Sequence, residues 1–167
     1  MTDHLPNLWL GRIVKNAALG SALLGQVAHS YYEKKNQTEG INLLRSILAL
    51  PMLFHSPTVA VIHRMDFKTG LVKAVLENKI ILNGLEERVA DTLATTFRSI
   101  QMGHDSKLYR VDKFERDFQL IPAHRKFPIP VKSYSEKVRH MFQAANRIGH
   151  WFGLDPLSLY KMLQVSL

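Results

Sequence analysis

The sequence predicts a mainly α protein of the α+β type, a set of helices with one small β-hairpin late in the chain. Three observations predict it. Apolar residues recur at three- and four-residue spacing through most of the 167 residues, the period of a helix with one buried face. Between 107 and 121 the pattern changes to short runs of aromatic and β-branched residues, which favour strands. Hydrophobic residues make up 46% and charged residues 22%, a composition that supports a packed core and excludes wholesale disorder. We expect one domain over residues 1–167, with a helical core at 12–104, the hairpin at 107–121 and a C-terminal helical segment at 131–167.

The first helix is expected from about Asn16 to Lys34. Asn16 is a candidate cap, because a short side-chain oxygen accepts from the free amides of a first turn. Leu19, Leu23, Leu24, Val27 and Tyr31 then fall on one face, and Gly20, Ser21 and Gly25 are small enough for another backbone to come close. The polar run Glu33–Gly40 reads as a loop. Ile41 to about His55 is apolar on most sides, as a central core helix is. Pro51 inside it lacks an amide donor and predicts a kink or a fresh start. Ser56 and Pro57 suit a cap and first position, opening a short helix over Val59–Met65. Thr69–Asn78 is a further short helix, and Asn83-Gly84 is a turn signal.

Leu85 to about Gln101 is a longer amphipathic helix, with Leu85, Val89, Leu93, Phe97 and Ile100 as its apolar stripe and Gly103 as its stop. Glu86 and Glu87 sit in its first turn, where the helix dipole favours them. Lys107–Val111 and Phe114–Ile121 read as two short strands broken at Asp112-Lys113. Pro122, Pro128 and Pro130 keep the next stretch extended. Ser133 or Ser135 opens a helix running to about Phe152, and Asp155-Pro156 caps a last short helix with Leu157, Leu159, Tyr160 and Leu163. Helices followed by a two-stranded element resemble a winged helix, and they also fit other helical α+β arrangements.

Composition excludes several chemistries. There is no cysteine, which rules out a disulfide scaffold, a cysteine nucleophile, an iron–sulfur cluster and thiolate zinc sites. There is no signal-peptide pattern, and Ile41–Phe54 is interrupted by Asn42 and Arg45 and too short to span a bilayer; we expect a cytoplasmic protein with no membrane partner. The eight histidines are nowhere three or four residues apart, the spacing that a metal-binding helix needs. The carboxylates sit mostly where helix caps and solvated faces expect them. No phosphate-loop, dinucleotide or nucleophile-elbow motif is present. We expect no enzyme activity, no catalytic residue, no metal and no cofactor.

Charge is more informative. The formal net charge is +8, from 22 Lys+Arg against 14 Asp+Glu. Between Pro122 and Leu167 there are seven basic residues and two acidic ones, so +5 of that total lies in the last 46 residues. Arg125, Lys126, Lys132, Lys137, Arg139 and Arg147 are therefore candidates for contact with DNA or an acidic protein surface. The alternative for these residues is a solvated basic face.

Three stretches together resemble a known family. Asn16-Ala17-Ala18-Leu19 running on to Tyr31-Tyr32-Glu33-Lys34 resembles its asparagine-led opening helix. Leu48–His55, with Pro51 at its centre and Thr58 after it, resembles its leucine–proline, apolar, histidine, threonine signature. Ala144–Phe152, containing Gly149, Trp151 and Phe152 and followed by Tyr160 and Leu163, resembles its closing glycine, Trp-Phe helix. The family is the middle component of three-component ABC defence systems, the group that includes Lamassu-type anti-phage and anti-plasmid complexes. The chain departs from the pattern at Ala17, where proline is usual, at His150, where arginine is common, and around Thr69-Gly70-Leu71, where a serine and tryptophan are missing.

The resemblance implies a non-catalytic subunit that bridges an SMC-like ABC ATPase and an effector, often a nuclease, with double-stranded DNA as a further partner of the complex. Asn16, Pro51, His55, Thr58, Gly149, Trp151 and Phe152 are then family-motif residues with mainly structural roles. Trp9, Trp151 and Phe152 would be partner anchors if exposed, with core the preferred reading for the last two. Two other readings compete. One is a stand-alone winged-helix regulator, against which Thr69–Asn78 and Leu85–Gln101 carry only Lys73, Arg88 and Arg98 among acidic neighbours. The other is a small metal-dependent hydrolase built on scattered residues such as His55 and His63.

Overall fold

The computed structural model describes the backbone of residues 5–166 and the side chains of residues 17–166. The helices are α1 (Leu5–Lys34), α2 (Leu43–Leu53), α3 (Ser56–Ile62), α4 (Gly70–Glu77), α5 (Leu85–Asp105), α6 (Glu136–Trp151) and α7 (Pro156–Met162). Three strands, β1 (Ile41–Asn42), β2 (Tyr109–Phe114) and β3 (Asp117–Pro122), form an antiparallel sheet in the order β1-β3-β2. Short 3-10 turns stand at Phe67–Thr69, Lys79–Ile81 and Val131–Ser133. The mainly α, α+β expectation holds.

α1 lies against both α5 and α6, and small residues set how close they come. A Cβ at Gly20 would overlap Ser99 Oγ on α5, and a Cβ at Gly149 on α6 would overlap the Val27 carbonyl oxygen of α1. The small residues read in the sequence thus serve packing within the chain. α2 fills the centre, with Leu48, Leu50 and Met52 fully buried. Each such side chain contributes about 1.5–3 kcal/mol on leaving water. The cap of α6 is Ser135, whose oxygen accepts from Val138 N, and that of α7 is Asp155, accepting from Ser158 N at 3.0 Å.

Several boundaries differ from expectation. α1 begins at Leu5, so Asn16 is a residue of its interior and no cap; the side chains of Asn16 and Trp9 lie outside the described residues. Ile41 and Asn42 belong to a strand. Ile41 pairs with Leu120 and Asn42 with Gln119, while the Asn42 side chain accepts from Arg45 N and caps α2. α2 continues through Pro51 to Leu53, and the chain turns through 99° before α3. The direction change therefore falls after the proline, which is already in the last turn. His55, not Ser56, occupies the N-cap position of α3, with Pro57 at its start.

α5 differs most. It runs past Gly103 to Asp105, because Gly103 is a buried packing residue where a Cβ would overlap the Tyr109 ring. Its apolar stripe is only partly buried: Leu93 and Phe97 are exposed, whereas Thr96, Ser99 and Ile100 are buried. A strict four-residue spacing drifts about 40° per step around a helix of 3.6 residues per turn. By Phe97 it has left the face that Leu85 begins. The hairpin turn is Glu115-Arg116, since Phe114 pairs with Asp117. Asp112 and Lys113 are strand residues. Glu115 has φ +54°, a left-handed conformation that closes a two-residue turn at some cost for a non-glycine residue.

Among the described residues no single helix is long and apolar enough to cross a membrane; α2 and α3 together reach that length only as a bent pair.

Candidate functional site

The six basic candidates divide into two groups. Arg125, Lys126, Lys132, Lys137 and Arg139 are exposed. The first two lie where the chain leaves β3, Lys132 lies in the 3-10 turn before α6, and Lys137 and Arg139 lie in the first turns of α6. None of the five is ion-paired among the described residues. The segment bearing Arg125 and Lys126 is held in place. Phe127 packs 5.9 Å from the Phe142 ring and 6.2 Å from the His29 ring. His29 Nε2 donates to the Arg125 carbonyl at 3.2 Å, and His124 Nε2 donates to the Lys107 carbonyl at 2.9 Å. Exposed cations on a fixed backbone attract phosphate or carboxylate groups with an affinity that falls with salt.

Arg147 is different. Its Nε donates to the Met65 carbonyl, its Nη1 donates to the Gln143 carbonyl at 2.9 Å, and its guanidinium sits 4.9 Å above the Phe67 ring. Burial lowers its pKa, an effect that Asp66 opposes. The guanidinium is used to fasten α6 to the segment after α3.

Among the described residues the motif positions are internal except His55, which is half-buried. Pro51 and Thr58 are buried, and His55 Nδ1 and Thr58 Oγ1 are hydrogen-bonded at 2.7 Å. Burial first and then Arg88 push the His55 pKa down. Phe152 is fully buried and Trp151 nearly so, so both are core residues and neither is free as an exposed anchor. Trp151 Nε1 donates to the Phe67 carbonyl at 2.9 Å.

Two arrangements had no sequence signal. His63, after α3, stacks on His140 of α6 with ring centroids 3.8 Å apart and planes 19° from parallel. Burial and then the His140 charge lower the His63 pKa, against a hydrogen bond donated from His63 Nδ1 to Gln143 Oε1 that raises it. They are not joined by further ligands: no group of three or more His, Asp or Glu side chains among the described residues is arranged to hold a metal ion. The second is buried Arg45. Its Nε donates to the Phe152 carbonyl at 2.9 Å, its Nη2 to the Leu154 carbonyl at 2.7 Å, and it lies 5.3 Å over the Tyr31 ring. Tyr31 Oη donates to Glu39 Oε1 at 2.9 Å. This network ties α1 and α2 to the turn between α6 and α7. Apart from its helical period, nothing near Arg45 in the sequence announces it, because its partners are backbone carbonyls.

A family model for the ABC-three component (ABC-3C) system Middle Component 3 matches residues 10–167. No curated protein and no solved structure matches.

Proposed function

The chain belongs to the family of ABC-three component (ABC-3C) system Middle Component 3, and from that premise we propose that it is a non-catalytic bridging subunit between an SMC-like ABC ATPase and an effector protein. The observation that carries this reading is the family match over residues 10–167. It fits the use of the motif residues. Pro51, Thr58, Gly149, Trp151 and Phe152 are committed to packing, which preserves a shape, while Arg125, Lys126, Lys132, Lys137 and Arg139 remain on the surface. The role is that of an antiviral or anti-plasmid defence component acting in the cytoplasm. The effector is expected to be a nuclease, and the exposed cations are its route to DNA or to an acidic partner surface.

The winged-helix reading belongs here too. The element order α1-β1-α2 through α5-β2-β3 and the sheet order β1-β3-β2 support it, with the Glu115-Arg116 turn as the wing. A stand-alone DNA-binding regulator is less well supported than a subunit. In that reading α5 would be the recognition helix, but Arg88 is turned onto the Asn83 and Ile81 carbonyls. That leaves Arg98 as the other arginine of a helix that also carries Glu86, Glu87 and Asp91.

The test is co-expression with the ABC ATPase encoded in the same system. The chain should elute with the ATPase on size exclusion at low and at moderate salt. Elution of the two apart under both conditions overturns the reading. A sequence-specific band shift by the isolated chain would favour the regulator instead.

A further inference from the structure

We infer that the cleft between the C-terminal end of α1, the start of α4 and the end of α6 binds an acidic peptide segment anchored by apolar residues. The inference rests on the subunit reading and names the site and the chemistry of one partner contact. The cleft has a volume of about 710 Å³, within the range of about 300–1,000 Å³ typical of ligand pockets. Lys34, Lys35 and Lys68 stand on its rim with His150, and Phe67, Leu71 and Trp151 are among the residues that form its apolar wall. A second cleft of about 510 Å³ shares Lys34, Phe67 and His150 with it, so the cationic rim borders a longer groove.

The charges there are poorly balanced from within. Lys34 and Lys68 have no carboxylate partner among the described residues, and Lys35 has only Glu39, 3.9 Å away. Asp66 is turned back to accept from Lys68 N at 3.0 Å. Glu33 lines the second cleft and lies 3.8 Å from His29. The start of α4 adds to the same field. Thr69 at its N-cap makes no side-chain hydrogen bond, and no acidic residue occupies its first turn, so the nearest carboxylate is that of Asp66, which caps the 3-10 turn before it. Gly70 has φ +71° with no heavy atom within 4 Å of where a Cβ would stand, which leaves the backbone open to approach.

A nucleic acid would satisfy the lysines and leave the apolar surface of Val72 and half-buried Phe67 uncovered. Val72, on the rim, is 51% exposed. A polypeptide with Asp or Glu beside Leu or Phe satisfies both halves at once: its carboxylates meet the lysines and α4, and its apolar side chain covers Val72 and the exposed part of Phe67. Such segments bind with salt-sensitive affinity because only the rim contacts are ionic.

The test uses the full chain, isotopically labelled, titrated with a twelve-residue peptide of alternating Asp or Glu and Leu or Phe. Its Asn and Gln counterpart, inorganic phosphate and a short DNA duplex serve as comparisons. The acidic peptide should shift the amide signals of Lys34, Lys68, Gly70 and Leu71. The Asn and Gln peptide should bind at least tenfold more weakly, and K34E/K68E should lose at least tenfold in affinity with an unchanged circular dichroism spectrum. If K34E/K68E alters that spectrum, K34A/K68A is used, with the same loss expected. Equal binding of both peptides, or shifts confined to other amides, overturns the inference. So does a response of these amides to phosphate or DNA and not to the peptide. If the wild-type chain elutes with its ATPase but the peptide fails, the cleft assignment falls and the subunit reading stands. If the chain elutes alone, the subunit reading falls whatever the peptide does.

Discussion

Trp151 Nε1 donates to the carbonyl oxygen of Phe67 at 2.9 Å, and this bond joins the end of α6 to the turn that opens α4. An indole buried to 5% exposure needs a partner for its N–H, since an unmatched buried donor costs free energy. The same pair builds part of the cleft wall, so core packing and the proposed peptide site share residues. W151F removes the donor and leaves the Phe67 carbonyl without it. Urea denaturation should show a loss of about 1–3 kcal/mol with an unchanged slope. A variant as stable as the wild type would mean that the bond contributes nothing net.

The approach of α6 to α1 rests on Gly149. A Cβ there would overlap the Val27 carbonyl oxygen and come within 2.8 Å of Ser30 Cβ. Both obstacles belong to a packed helix and cannot turn aside. G149A should therefore lose more than about 2 kcal/mol, as overpacking of a fixed interface does. Gly153 is the control: the nearest heavy atom to its Cβ position is Lys35 Cε at 4.0 Å, so G153A should stay within about 0.5 kcal/mol of wild type. Equal losses in both variants would contradict the packing account.

Arg45 should be among the costliest polar positions. It is 6% exposed, and it donates to the Phe152 and Leu154 carbonyls. R45M keeps the apolar stem and removes the donors, leaving two carbonyls unpartnered and Glu39, 4.0 Å from Arg45 Nη1, with Lys35 as its one remaining cation among the described residues. The expected loss is about 3 kcal/mol, read from the denaturant midpoint. R45K retains the charge but not the forked geometry, and it should fall between R45M and wild type.

Acid should weaken the fold through its histidines. The pKa of His63 lies below its ordinary value, through burial first and then the facing His140, Arg64 and Arg147. Those of His55 and His150 are lowered by burial and by Arg88 and Lys34 respectively. The unfolded chain therefore takes up these protons at a higher pH than the folded one. Stability is full above the unfolded histidine pKa of about 6.5 and falls as pH drops below it, levelling off beneath the folded values. The denaturant midpoint should decline from pH 7.5 to pH 5.5, and H63Q should flatten part of that decline. A midpoint that rises on acidification would contradict the sign.

The elements with chemical punctuation were legible in the sequence. Ser135, one of the two serines expected there, caps α6, Asp155 caps α7 as expected, and Pro57 lies in the first turn of α3, one residue after its start at Ser56. Failures came where the decisive partner is distant or is backbone. Glu115-Arg116 has no turn residue of the usual kind, and Asp112-Lys113 looked more like a break. β1 exists only because Leu120 and Gln119 lie beside it. His63 and His140 meet through the packing of α3 on α6, and Arg45 bonds to carbonyls that every residue possesses. Among the candidate cations, the sequence could not separate Arg147, which is held by Met65 and Gln143, from five that stay on the surface. The lysines of the cleft, Lys34 and Lys68, are 34 residues apart in the chain and line one cleft only in the fold.

Bridging is the central claim, and it is tested by whether ATPase and effector associate in the absence of this chain. The three components of one system are co-expressed with a tag on the ATPase, with and without the chain, and the eluted complexes are weighed by light scattering after size exclusion. The account predicts that the effector elutes with the ATPase only when the chain is present. It also predicts that R125E/K126E, charge reversals at exposed and unpaired positions, weaken the complex or its retention of DNA. Stable ATPase–effector association without the chain would contradict it.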